Sequence, residues 1–199
     1  MIVPGQVPET KVKKLEDWFN VKVVRTNIGG SVLIGPLVCA NSSGIVLPHY
    51  VRDEEVDVLK SFGDINITVT QTKKNAYGNL VSVNDNGAVA DPRLSKMDLK
   101  MLSDGLGVEV VPGEVAGLPY VGSLTIATNK GMMAHPLIKL EEEALLAEVL
   151  KVPVGIGTVN CGIPYIATGL IGNSDVIVAG SLTTGPELFM IGQALGVTD

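Results

Sequence analysis

The stretch Gly78-Asn79-Leu80-Val81-Ser82-Val83-Asn84-Asp85-Asn86-Gly87-Ala88-Val89-Ala90-Asp91-Pro92 holds the pattern on which the fold turns. It runs from a glycine through an apolar-rich segment to an asparagine, crosses an Asp-Asn-Gly turn, and ends in a short apolar run halted by proline. Asn and Gly tolerate the positive φ that a tight hairpin demands, so the stretch reads as two strands joined by a turn. The same order stands from Gly35 through Asn41, Ser42-Ser43-Gly44 and Ile45-Val46-Leu47 to Pro48. It stands again from Gly122 through Thr128, Asn129-Lys130-Gly131 and Met132-Met133-Ala134 to Pro136. Weaker copies run from Ala167 through Asn173 and Ser174-Asp175-Val176 to Gly180, and from Ile2-Val3 to Pro4.

Two independent sets of markers give one period. Pro4, Pro48, Pro92 and Pro136 are spaced by 44 residues, with Gly180 one step further, and Phe19, Phe62, Leu106, Leu150 and Leu195 recur at intervals of 43, 44, 44 and 45. Between the markers lie charged segments with apolar residues at helical spacing, such as Val56, Leu59 and Phe62 after Asp53, or Leu99, Leu102 and Leu106 after Ser95. Gly63, Gly107 and Gly196 fall where a left-handed helix cap is needed. A third strand follows, as in Ile65 to Thr70 or Val108 to Val111. The unit is therefore strand, strand, helix, strand.

Five units of about 44 residues are each too small to bury a core, so they must pack side by side, and a closed ring leaves no exposed strand edge. The expectation is one α+β domain over residues 1–199, with repeats near 1–30, 31–77, 78–121, 122–166 and 167–199. The first repeat is incomplete at its N-terminus, and the fifth has no third strand after the helix ending at Leu195. A 43-residue step back from Gly44 puts Met1 at a turn glycine and predicts roughly 20 further residues ahead of it, at about 5 to 6 per strand plus connections.

Composition narrows the function classes. Hydrophobic residues make up 46% of the chain and aromatics 4%, which suits thin aliphatic layers better than one thick core. Even the apolar run from Val32 to Ala40 is broken by Gly35 and Pro36, far short of the roughly 20 residues that span a bilayer, and the start lacks a secretory pattern. A cytoplasmic protein without membrane contact is expected. The net charge of −6 argues against broad attraction to bare nucleic acid and leaves a basic protein as an attractive partner.

The residues that tempt a catalytic or metal reading have plainer ones. Cys39 and Cys161 belong to no paired-cysteine motif and read as buried free thiols. His49 and His135 sit beside prolines of the repeat, which already explains them. Glu141-Glu142-Glu143 diverge around a helix and read as a solvated helix start facing the dipole rather than as metal ligands. Asn41, Asn84 and Asn173 read as turn formers. No catalytic residue, cofactor or metal is expected.

The stretches Thr26-Asn27-Ile28-Gly29-Gly30-Ser31, Ala134-His135-Pro136-Leu137, Gly157-Thr158-Val159-Asn160 and Thr183-Thr184-Gly185-Pro186-Glu187-Leu188 resemble those of archaeal and eukaryotic translation initiation factor 6. The resemblance runs the length of the chain, with separated motifs in family order. It implies the pentein fold, a five-fold pseudosymmetric propeller of ββαβ repeats. It also implies a monomeric factor that binds the intersubunit face of the large ribosomal subunit, through a basic ribosomal protein near the sarcin–ricin loop, and blocks joining of the small subunit. In that family the residue after the strand-opening glycine lies towards the ribosome, so the resemblance points to Gly78 with Asn79, and to Pro36, Ser123 and Thr168 at the equivalent places. The pentein fold also hosts enzymes that attack guanidino carbons with a cysteine, and repeat architecture alone would equally suit an interaction scaffold unrelated to ribosomes. Activity on arginine or agmatine, or failure to co-sediment with large subunits, would favour one of these.

Overall fold

The computed structural model describes residues 1–197 and is a mixed α and β structure of five small sheets. The first sheet pairs β1 (Ile2–Val3) with β2 (Val24–Arg25), and α1 (Glu9–Phe19) lies between them in sequence. The second holds β3 (Cys39–Ala40), β4 (Gly44–Leu47) and β5 (Asn66–Val69), with the helical turn α2 (Ile34–Leu37) before it and α3 (Asp53–Leu59) inside it. The third repeats this order with α4 (Tyr77–Leu80), β6 (Val81–Val83), β7 (Ala88–Ala90), α5 (Lys96–Leu106) and β8 (Val110–Pro112). The fourth follows with α6 (Val121–Leu124), β9 (Thr125–Ala127), β10 (Met132–Ala134), α7 (Leu140–Leu150) and β11 (Val154–Ile156). The last has a 3₁₀ turn (Ile166–Thr168), β12 (Leu170–Gly172), β13 (Ile177–Ala179) and α8 (Gly185–Leu195). In each three-stranded sheet the central strand runs antiparallel to the first and parallel to the third.

Four details differ from the sequence reading. The stretch at each opening residue begins as a helical turn, and only its last two or three residues are strand; in the third and fourth sheets that turn lies against neighbouring backbone, since a Cβ on Gly78 would stand 1.8 Å from Gly35 O, and one on Gly122 2.1 Å from Gly78 O. The proline ladder hides a one-residue slip. Thr26, Thr70, Gly113 and Gly157 donate to Val3, Leu47, Ala90 and Ala134, which sets Pro4 and Pro48 level with Asp91 and His135 rather than with Pro92 and Pro136. Asp91 and His135 extend the hairpin ladder by donating to Leu80 O and Leu124 O, a bond that proline has no N–H to make. The same register aligns Met1 with Ile45, Ala88 and Met132, one place past the turn glycines Gly44, Gly87 and Gly131; its amine donates to Lys22 O as Ala88 N does to Glu109 O. Gly107 and Gly196 are left-handed caps, whereas Gly63 follows a 3₁₀ turn at φ 102°, ψ −146°.

The apolar residues bury in five clusters rather than one core. One joins Cys39 and Val46 to Tyr77, Leu80, Leu102 and Leu106, so a cluster is shared between adjacent units, and another joins Val89 to Leu124, Met132, Leu146 and Leu150. Side-chain amides stitch the same neighbours together. Asn84 accepts from the N–H groups of Asn86 and Gly87 to shape its own turn, and donates to Thr128 O at 3.0 Å and Leu150 O at 2.8 Å in the next unit. Asn41 does the same to Asn84 O and Leu106 O, and Asn173 donates to Phe19 O. The asparagines are thus more than turn formers. No helix is long and apolar enough to cross a membrane among the described residues.

Candidate interaction face at the opening turns

Pro36, Asn79, Ser123 and Thr168 each take the third place in their turns, with Gly78 one place before Asn79. Pro36 lies in α2, Gly78 and Asn79 in α4, Ser123 in α6 and Thr168 in the 3₁₀ turn, and α2 packs on α4, α4 on α6, and α6 on the 3₁₀ turn. Two of these contacts are this close because Gly78 and Gly122 carry no Cβ where they meet the carbonyl of the turn before, so the residues that follow the opening positions sit on turns that lie side by side. Pro36, Asn79 and Ser123 are half-buried and Thr168 is exposed, its hydroxyl donating to Tyr165 O.

The residues two places before the opening glycines escaped the sequence reading. Leu33 is 62% exposed, and Tyr120 and Tyr165 are each 44% exposed, at the N-cap positions of their turns. Val32, Leu118 and Ile163 beside them are exposed as well. Their fixed offset from Gly35, Gly122 and Ala167 is the signal that could have found them. Next to Tyr120, the Arg93 guanidinium stacks 5.1 Å from the ring centroid and binds the buried Asp91 carboxylate through two nitrogens, at 2.7 to 3.2 Å. Burial opposes ionisation of Asp91, but the hydrogen bonds and charge of Arg93 hold its pKa below the ordinary value. The pair leaves this part of the face nearly neutral.

The loops carrying these apolar residues are tight left-handed turns. Gly29 and Gly30, Ala116 and Gly117, and Asn160, Cys161 and Gly162 all have positive φ, between 48° and 97°. A glutamate three residues into the following helix holds each loop. Glu55 accepts from Gly29 N at 2.6 Å, Gly30 N at 2.8 Å and Arg52 N at 3.0 Å. Glu142 accepts from Ala116, Gly117 and Lys139 N, and Glu187 from Cys161, Gly162 and Thr184 N and from the Thr158 and Thr184 hydroxyls. Burial raises the cost of the charge on Glu55 and Glu142, yet these donors keep both pKa values below the usual carboxylate range. The Thr184 N–H is the largest influence on Glu187, pulling it to about 2.

Two sequence readings are corrected here. Glu142 is buried and spent on backbone N–H groups, not solvated with Glu141. Cys161 is exposed on its left-handed turn, whereas Cys39 is buried, with its thiol pushed up to about 12 by desolvation. His135 is buried and accepts from Leu137 N through Nδ1, a turn-forming use, and His49 packs edge-on against Tyr50.

The eIF-6 family model matches residues 1–194. Translation initiation factor 6 of Pyrococcus abyssi is 40% identical over 202 residues, covering 99% of this chain and 89% of that protein. The Methanocaldococcus jannaschii protein of the same name is 40% identical over 202 residues, covering 98% and 88%, and the Methanosarcina acetivorans one 38% over 196, covering 98% and 88%. With a family match across nearly its whole length and relatives at this level of identity, the chain belongs to the eIF-6 family.

Proposed function

We propose that this protein is a non-enzymatic, monomeric translation initiation factor that binds the large ribosomal subunit and keeps the small subunit from joining it, in initiation and ribosome biogenesis. In this reading the chain is one pentein ring of five ββαβ repeats near residues 1–30, 31–77, 78–121, 122–166 and 167–199, working in the cytoplasm where ribosomes are. The observation that carries it is the row of packed turns bearing Pro36, Asn79, Ser123 and Thr168, with exposed Leu33, Tyr120 and Tyr165 at their N-caps, in a chain of the eIF-6 family. Exposed aromatic and aliphatic side chains on rigid turns are the kind of surface that protein partners bury. The acidic net charge of −6 favours encounter with a basic ribosomal protein, in this reading one near the sarcin–ricin loop.

The test is sedimentation of purified subunits with and without the protein. Co-migration with large subunits and a lower yield of joined ribosomes support the reading. Asn79→Arg sets an uncompensated cation against a basic partner and should weaken binding about tenfold or more while leaving the fold intact. Joined ribosomes formed at the same yield at saturating protein would refute it.

A further inference from the structure

Three of the loops that precede the opening turns are held alike, and the fourth is not. Glu55, Glu142 and Glu187 each accept from the two loop residues 26 and 25 places before them: Gly29 and Gly30, Ala116 and Gly117, Cys161 and Gly162. Each also accepts from the N-cap N–H of its own helix. In the third unit the same helix position is Asp98, and the same offsets lead back to Thr72 and Lys73.

Asp98 makes only the helix half of the contact. Its Oδ2 accepts from Ser95 N at 3.0 Å and from the Ser95 hydroxyl at 2.7 Å. Its Oδ1 is buried without a partner, in a residue 6% exposed. Among the described residues the other buried side-chain oxygen in that condition is Thr70 Oγ1, two places before Thr72. An unmatched buried carboxylate oxygen is costly, and this one belongs to the side chain whose three counterparts each grip a loop.

The fourth loop differs to match. Neither Thr72 nor Lys73 has the positive φ of the six residues above, and the bridges Ile28–Ser31, Val115–Leu118 and Val159–Ile163 have no counterpart in it. The β-branched side chain of Thr72 opposes a left-handed backbone. Instead, the Thr72 hydroxyl is hydrogen-bonded to the buried Tyr77 OH at 3.0 Å, a tether that Ile34, Val121 and Ile166 cannot offer at the first place of their turns.

We propose that the loop of Thr72 to Asn75 is a two-position strap: it rests open on the Tyr77 hydroxyl, and it closes by turning the Thr72 and Lys73 N–H groups onto Asp98 Oδ1. Asp98 is one methylene shorter than glutamate, so closure draws the loop towards α5. The turn α4 packs between α2 and α6, so the strap resets the middle of the row, beside Asn79, while the loops near Leu33, Tyr120 and Tyr165 stay clamped. Both positions belong to the free protein, so the proposal stands apart from ribosome binding.

The test is nuclear magnetic resonance of the free 199-residue protein, following the Thr72 and Lys73 amide protons, with Gly30 and Gly117 as the clamped references. Bonding to a carboxylate moves an amide proton downfield. Asp98→Glu should move both protons downfield and slow their hydrogen exchange about tenfold or more, as charge-assisted bonds would. Tyr77→Phe, which removes the open tether alone, should move them the same way, and adding Asp98→Ala should cancel that movement. A folded Asp98→Glu protein with both protons unmoved overturns the proposal. So does a Tyr77→Phe shift that persists beside Asp98→Ala, which would give the N–H groups another acceptor. If Asp98→Glu fails to fold, Tyr77→Phe with and without Asp98→Ala decides alone.

Discussion

The side-chain amide of Asn173 donates to the carbonyl of Phe19 at 3.1 Å, joining residues 154 apart in the chain. It is the bond Asn41 makes to Leu106 and Asn84 to Leu150, so the last sheet meets the first helix by the contact that joins interior neighbours. Because Asn84 is buried and bonds two carbonyls in the next unit as well as its own turn, Asn84→Ala should cost about 3 kcal/mol in urea denaturation, at about 1 kcal/mol per bond plus unsatisfied acceptors. Asn173→Ala, at a half-buried site with one such bond, should cost about 1 kcal/mol.

The opening glycines should respond oppositely to one substitution. Gly78→Ala puts a methyl 1.8 Å from Gly35 O, where only backbone can give way, and should cost about 2–3 kcal/mol. Gly35→Ala meets open space and should gain about 0.5 kcal/mol by restricting the unfolded chain. Thermal melts of the two variants beside the parent check both signs.

Acid should loosen the glutamate clamps. Glu187 is held at about 2 when folded against an ordinary 4.5, so its contribution is fully present above 4.5 and disappears as pH falls towards 2. Glu55 and Glu142, also lowered, act in the same direction. Glu187→Gln should melt well below the parent at pH 7, and the gap should close progressively on acidification from pH 4.5 to pH 2.

The thiols should separate cleanly. Native protein should react with one equivalent of a thiol reagent, at exposed Cys161, and release the second only in denaturant, because Cys39 is buried with its pKa near 12. Cys161→Ser should remove the fast phase.

The repeat was legible because it is written twice, in turn residues such as Asn84 to Gly87 and in helix-end residues such as Leu106 and Leu150, each fixed by local backbone chemistry. Aligning the repeats puts Pro36, Asn79, Ser123 and Thr168 at equivalent places, and the turns that carry them pack on one another. What stayed hidden depends on contacts between units. Nothing local tells that Glu142 turns inward to Ala116 and Gly117 while Glu141 stays in solvent, or that Gly78 is required by the carbonyl of Gly35. The proline period misled by one residue because Pro48 and Pro92 mark different places after their strands, a slip that the backbone bonds of Thr70 to Leu47 and Gly113 to Ala90 expose.

The carboxylate clamps bear on how the exposed face meets a partner. Each glutamate ties a surface loop and a helix start to one side chain, so Gly29-Gly30 and Arg52 share Glu55 although 22 residues separate Gly30 from Arg52. Loops that would otherwise sample many shapes are therefore set before any encounter. In the proposed complex, ordering them on association would sacrifice little conformational freedom, so that more of the contact energy of Leu33, Tyr120 and Tyr165 would be realised as affinity.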